Sequence, residues 1–349
     1  MKFFYALLIL VPIAVVLAMV GASHTWVFLA SAGALVPLAA LMGDATEFVA
    51  EHTGPRVGGL LNATFGNAAE LIITVAALRS GLFELVKASI AGSIIGTSLL
   101  ILGSCMLAGG IKNGHQAFNA RIAGVSATMM TLAVVALALP GLFSVGSRRV
   151  EGDALENMSI GLAVVLIVIY ALYVLYTVFL QPAESTTAHG DEREAPSHGI
   201  WFSIGLLTTA TIGVAVMSEL FVDNVEPVVK SWGVTELFLG VVLVPIVGNV
   251  AEHVVALKLA LNNKMDASVS IAIGSCLQVA LFVAPVLIFV SLLLGQPMTL
   301  LFNEYELAAL VGGIAVATLI SMDGESNWLE GAQLLAVYLI VGIGFFYLK

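Results

Sequence analysis

The sequence predicts an all-α polytopic membrane protein. Eleven transmembrane helices are expected, arranged as two inverted-topology five-helix repeats plus one extra N-terminal helix. Three observations carry this. The chain of 349 residues is 60% hydrophobic and only 10% charged, against roughly 25% charged residues in soluble domains, and its mean hydropathy is +1.05. Stretches of ~20 mostly apolar residues, each long enough to cross a bilayer, recur along its whole length. Finally, Gly66-Asn67-Ala68-Ala69-Glu70 is echoed by Gly248-Asn249-Val250-Ala251-Glu252 at an interval of 248 − 66 = 182 residues. The same interval separates Gly92-Ser93 from Gly274-Ser275, and Glu84 from Asp266. Three landmarks in one ungapped register indicate an internal duplication.

The spans fall at about 4–22, 26–50, 58–79, 85–110, 121–144, 157–180, 200–222, 236–262, 266–294, 304–321 and 328–348. The first has features of a signal peptide, with Lys2 ahead of the apolar run and Val20-Gly21-Ala22 after it. Its length and single leading charge favour a span. Setting it aside leaves ten spans, five per copy. An odd number per copy turns the second copy upside down relative to the first, the arrangement that places a transport site between repeats near the bilayer midplane. The expected units are an extra helix at 1–25, a first repeat at 26–180, a polar linker at 181–199 and a second repeat at 200–349. The linker is the longest polar stretch, containing proline and rich in small and charged residues. Basic residues divide seven to six between the two faces, a slight excess on the face of the N-terminus, which weakly favours a cytosolic N-terminus.

Composition also excludes function classes. A net charge of −10 without a basic patch gives no sign of nucleic-acid binding. Cys105 and Cys276 both lie inside spans, so no disulfide framework is expected. An intramembrane enzyme would need a Ser/His, Asp/Asp or Asp-rich constellation, and none is evident. A cation channel shares the acidic centre described next; acids on the first helix of each repeat point to gating instead.

That centre consists of carboxylates inside apolar segments. Glu47, Glu70, Glu219 and Glu252 occupy such segments, with Asp44 nearby, and no lysine or arginine lies at comparable depth. A carboxylate buried without a basic partner is protonated or holds a cation, and an intramembrane acid is a functional-site candidate. Asn67, Glu70 and Thr74 share one helical face, and Asn249 and Glu252 repeat the pattern. Pro245 removes a hydrogen bond and makes a carbonyl available. Ser93 with Thr97, and Ser275 with Gln278, add oxygens. An all-oxygen set suits calcium better than zinc or copper. Blander readings stand beside these: Gly92-x-x-x-Gly96 reads as a small-residue packing face, and Ser93 or Thr97 as a hydroxyl bonding back to its own helix. His253 points about 100° away from Glu252, so ligation, proton relay and a structural role remain open. His24 and His52 fall near span ends and are expected to be solvated.

The run from Gly58 to Ile72 through Asn62-Ala63-Thr64-Phe65-Gly66-Asn67-Ala68-Ala69-Glu70 resembles the first-repeat signature of the calcium/proton antiporters, a branch of the cation/calcium exchanger superfamily. Val247 to His253, Gly274 to Gln278 and Asp323 to Gly331 resemble its later motifs. The likeness runs from about residue 40 to the C-terminus. It implies that Glu70 and Glu252 hold calcium or protons, and that Asn67, Asn249, Ser93, Ser275 and Gln278 line the site. Glu47 and Glu219 match acids on gating helices; with His253 they form the gating or proton-relay set. The transported calcium and protons are substrates, and neither a cofactor nor enzymatic activity is expected. A homo-oligomer is compatible with the sequence. The short segment before span 1 and the modestly acidic linker favour a prokaryote-like plasma-membrane form. Thr97 stands where relatives often carry asparagine. Gly96, Thr97, Gln278 and Val279 occupy places where sodium-coupled relatives tend to carry an additional Asp or Asn, which favours proton coupling.

Overall fold

A computed structural model describes residues 6–144, 152–180 and 198–348. Most of the expected linker, 181–197, lies outside the described residues, as does the start of the first expected span. Eleven apolar helices follow in order: α1 (Leu7–Met19), α2 (His24–Thr53), α3 (Val57–Arg79), α4 (Phe83–Asn113), α5 (Ala120–Ser144), α6 (Asp153–Val178), α7 (Ile200–Val222), α8 (Glu236–Leu261), α9 (Met265–Leu293), α10 (Glu304–Ser321) and α11 (Trp328–Tyr347). All but α1 are long and apolar enough to cross a membrane. The protein is thus a multi-pass integral membrane protein, with α2–α6 and α7–α11 as its two five-helix repeats and α1 laid against α2 and α7.

Helical backbone runs without interruption from His24 to Phe65, yet the chain reverses within it. A Cβ built on Gly58 would lie 3.1 Å from the Cβ of Ala50, whereas eight residues of straight helix span about 12 Å. The reversal separates α2 from α3 and defines one face of the molecule, face A. Face B carries Arg79, Glu84 and Glu236, at the opposite ends of α3, α4 and α8.

Helices α2 and α7 pack antiparallel along their length. Phe28 stacks on Phe221 at 4.7 Å between ring centroids, and Phe48 meets His198 at 4.6 Å. Between them, a Cβ on Gly213 would lie 2.9 Å from Leu38. At 30 residues, α2 is ~45 Å long and exceeds a ~30 Å hydrocarbon layer, so it must tilt or protrude. His24 is exposed at the start of α2, as expected of a residue near a span end, and its Nδ1 shares a 2.7 Å hydrogen bond with Asn224 Oδ1, tying the start of α2 to the turn after α7.

The middle of the molecule belongs to α4 and α9, two of its most buried helices. Both contain a π-helical turn, at Gly96–Ile101 and Val279–Val283, in matching places of the two repeats. A third, Leu239–Leu243, precedes Pro245 in α8. Proline lacks the N–H that would close the preceding turn, and the wider π-turn absorbs the mismatch; Pro285 follows the turn in α9 in the same way. On face A, β1 (Gln116–Ala117) pairs antiparallel with β2 (Glu325–Ser326), linking the loop after α4 to the loop before α11.

Both α10 and α11 begin with capping boxes. The Asn303 side-chain Oδ1 accepts from the backbone N–H groups of Tyr305 and Glu306 while the Glu306 carboxylate accepts from the Asn303 N–H; Asn327 and Glu330 repeat this. Such boxes satisfy N–H groups that a helix start otherwise leaves open.

Candidate functional site

Each repeat delivers one motif to the centre by the same means: a glycine where two helices meet, then an asparagine and a glutamate one turn apart. A Cβ on Gly66 would lie 2.9 Å from Gln278 Oε1, and one on Gly248 would lie 2.8 Å from Glu70 Cγ. The absent side chain of each glycine therefore makes room for a polar group of the opposite repeat.

Glu70 is sealed, at 3% exposure. Its Oε1 accepts from Ser93 Oγ at 2.5 Å and from Asn249 Nδ2 at 2.5 Å. Asn249 also donates to the Pro245 carbonyl at 3.1 Å, so both amide N–H groups are used and the orientation of its side chain is fixed. Across the interface, Asn67 Nδ2 donates to Gln278 Oε1 at 2.7 Å, and Ser275 Oγ donates to Asn67 Oδ1 at 3.2 Å. Glu252 lies beside Ser275 and within electrostatic reach of Glu70.

The site is pseudo-symmetric in sequence but not in contacts. Asn249 serves the glutamate of the other repeat; Asn67, its counterpart, is held by Gln278 and Ser275. Oε2 of Glu70 and Oε2 of Glu252 are both buried with no hydrogen-bond partner among the described residues. Two acceptor oxygens are thereby left open in a low-dielectric centre, where an unpaired charge is strongly unfavourable. The arrangement can hold protons or a hard cation.

The remaining expected residues divide. Thr74 and Thr97 donate their hydroxyls to carbonyls of their own helices, Glu70 and Ser93 respectively, at 2.8 and 2.7 Å, so neither donates to the cluster. His253 Nε2 shares a 2.6 Å hydrogen bond with Ser104 Oγ. Both His253 and Asn249 border a cavity of about 160 Å³ whose walls also include Gly96, Pro245 and Tyr338. Glu47 is exposed on α2.

Glu219 corrects the expectation of a deep acid without a basic partner. It lies in the last turn of α7, is 61% exposed, and pairs with Arg79 at 3.3 Å. Arg79 ends α3, nine residues beyond Glu70, or ~13 Å along the axis. The bridge crosses a cavity of about 220 Å³ that also takes in Ser80 and Asp223. Hydropathy windows miss this because an apolar helix reads as apolar to its end, and the pairing joins residues far apart in sequence. Exposed ion pairs contribute ~0–1 kcal/mol, so Glu219→Gln is expected to shift thermal unfolding in detergent only slightly; a large drop would show that the bridge holds the fold.

Inverted five-helix repeats meeting at a sealed acidic centre define a class of membrane carrier. The comparisons with known proteins agree. The family described as sodium/calcium exchanger protein matches residues 23–179 and 202–347. A protein of Aphanothece halophytica named Ca(2+)/H(+) antiporter is 44% identical over 99% of this chain and 96% of its own length. Ca(2+)/H(+) antiporter ChaA of Bacillus subtilis is 43% identical over 97% and 98%. The structure of native YfkE, 39% identical, superposes with a TM-score of 0.86 over 99% of this chain and 100% of that one. The chain belongs to the sodium/calcium exchanger protein family.

Proposed function

We propose that this protein exchanges calcium for protons across the plasma membrane by alternating access, exporting cytosolic calcium on the inward proton gradient. The observation that carries the reading is the pair of buried, unpartnered oxygens on Glu70 and Glu252. Names of full-length relatives support the choice of ions, and the oxygen-rich surroundings suit calcium.

Glu70 and Glu252 alternately hold one calcium ion or protons. Asn249 and Ser93 orient Glu70, and Asn67, Ser275 and Gln278 complete the oxygen-rich wall. Loaded either way, the centre is neutral or nearly so, and crossing between states avoids moving bare anions through low dielectric. Glu47, Glu219 and His253 act away from the centre, in gating or proton supply. Residues 26–180 and 200–349 work as the two halves, with 1–25 as an added helix and 181–199 as a connector. Calcium and protons are substrates of a transporter; neither a resident cofactor nor covalent chemistry enters this reading.

The sign of the pH dependence follows from linkage. Calcium binds the deprotonated carboxylates, so binding releases protons and affinity falls as pH falls. Calcium titration of the detergent-solubilised protein in weakly buffered solution is expected to acidify the medium, with affinity rising steadily with pH. Calcium affinity independent of pH, without proton release, would overturn the assignment.

A further inference from the structure

One carboxylate outside the transport centre is fully buried. Glu306, in the first turn of α10, is 0% exposed. Its Oε2 accepts from the Asn303 N–H at 2.8 Å and closes the capping box, but its Oε1 is buried with no hydrogen-bond partner among the described residues. Capping does not need this burial. Glu330 does the same at the start of α11 from a half-exposed position.

The equivalent place in the first repeat does without the acid. Asn119 caps α5 as Asn303 caps α10, its Oδ1 accepting from the N–H groups of Arg121 and Ile122. The third helical residue there is Ile122, and the Asn119 N–H donates to Asp266 at the start of α9. The 182-residue register makes Glu84 the counterpart of Asp266. With Glu306 occupying the Asn303 N–H, Glu84 is spared that contact, and it accepts from Lys87 Nζ at 2.6 Å instead. Lys87 is itself an addition, standing where α9 has Val269; it is 13% exposed, and Glu84 60%. Glu306 and Lys87 are thus two ionisable groups added to one repeat only, both at face B and within electrostatic reach of each other.

Of the elements packed against α10, α4 faces Glu306 with Lys87 and Glu84. Helix α5 carries Arg121 and β2 carries Glu325, both at face A. Helix α11 carries Glu330 at face A, with Tyr338 and Tyr347, phenols that stay neutral near neutral pH. On α10 itself, Glu304 and Tyr305 are exposed.

We infer that Glu306 is a second proton-binding site, separate from Glu70 and Glu252, and that Lys87 turns between Glu84 and Glu306 as that proton comes and goes. Protonated, Glu306 is a neutral buried acid and Lys87 stays with Glu84, the arrangement described above. When the proton leaves past exposed Glu84 to the water at face B, Oε1 becomes the open acceptor for the Lys87 ammonium, which has three donors on a flexible stem. The new pair ties the start of α10 to α4. Ser93, which donates to Glu70, lies six residues further along α4, or ~9 Å. An ion pair between two helices must break before they shift, so alkaline conditions restrain the carrier and acid releases it.

A melting cycle in detergent tests this with the parent protein, Glu306→Gln, Lys87→Met and the double variant, from mildly acidic to mildly alkaline pH. Glutamine keeps the cap acceptor and stands for the protonated acid. Ionised Glu306 without Lys87 is uncompensated, so Lys87→Met is expected to lose stability more steeply than the parent as pH rises. In the Glu306→Gln background, Lys87→Met is expected to cost the same at every pH. The coupling between the two positions is therefore near zero in acid and grows to about 2 °C or more in melting temperature in alkali. In proteoliposomes, Glu306→Gln is expected to exchange at the parental rate in acid and about threefold or more faster than the parent in alkali. Coupling that does not change with pH would reduce Glu306 to a cap, and superimposable pH profiles of exchange would overturn the restraint. The melting cycle decides on the proton site whichever ion the protein carries, so its failure is distinct from failure of the exchange reading.

Discussion

Glu70→Gln is expected to reduce proton-coupled calcium exchange to background while leaving the protein folded, and Glu252→Gln is expected to do the same. Glutamine keeps the size of the side chain, and its carbonyl oxygen can still accept from Ser93 and Asn249, the two donors at 2.5 Å. It cannot ionise. A divalent ion between two carboxylates is neutralised; with one removed, a net positive charge remains in the membrane centre. Such a charge costs ~2.5–3.5 kcal/mol on insertion scales, which corresponds to a loss of about a hundredfold or more in calcium affinity. The proton-coupling function goes as well, since an amide neither takes up nor releases a proton at the relevant pH. The check is initial-rate calcium uptake alongside thermal unfolding in detergent. Unfolding should move little; near-normal uptake by either variant would remove that glutamate from the site.

The largest effect on stability is expected from Gly331→Leu in α11. A Cβ there would overlap the backbone of Leu107 and Gly103 in α4, and one on Gly110 would overlap the backbone of Trp328. The two helices thus meet backbone to backbone along Gly103, Gly110 and Gly331, and no side-chain movement relieves the clash. Overpacking of a close-packed interior costs ~1–3 kcal/mol, more when backbone must shift. Gly342 and Gly344 lie on the same helix with nothing within 4 Å, so Gly342→Leu is the matched control and is expected to melt close to the parent. Equal melting temperatures for Gly331→Leu and Gly342→Leu would show that the α4–α11 seam is not tight.

Much of this architecture is legible in the sequence because the bilayer imposes long apolar segments that hydropathy finds directly. The duplication is legible because Gly66 to Glu70 and Gly248 to Glu252 stand in one register with Gly92-Ser93 and Gly274-Ser275. That register states which residues are equivalent, not which ones touch. It therefore could not reveal that Asn249 reaches across to Glu70 while Asn67 is held by Gln278 and Ser275. Thr74 shares the helical face of Glu70 but satisfies its hydroxyl on the Glu70 carbonyl, a choice local geometry makes and periodicity does not encode. Nor do the π-helical turns at Gly96, Leu239 and Val279 leave a mark in hydropathy, although Pro245 and Pro285 announce a disturbed ladder after the second and third. Glu219 departs from the expectation because it sits at a span end, where a partner distant in sequence, Arg79, decides its environment.

The central claim is that calcium moves uphill at the expense of a proton gradient. It is tested most directly by calcium uptake into proteoliposomes carrying the purified protein, under an imposed pH gradient, with and without a protonophore. Accumulation of calcium against its own gradient, abolished by the protonophore, is expected. Calcium that only equilibrates and ignores pH would contradict exchange and indicate a channel, and accumulation that requires a sodium gradient would contradict proton coupling.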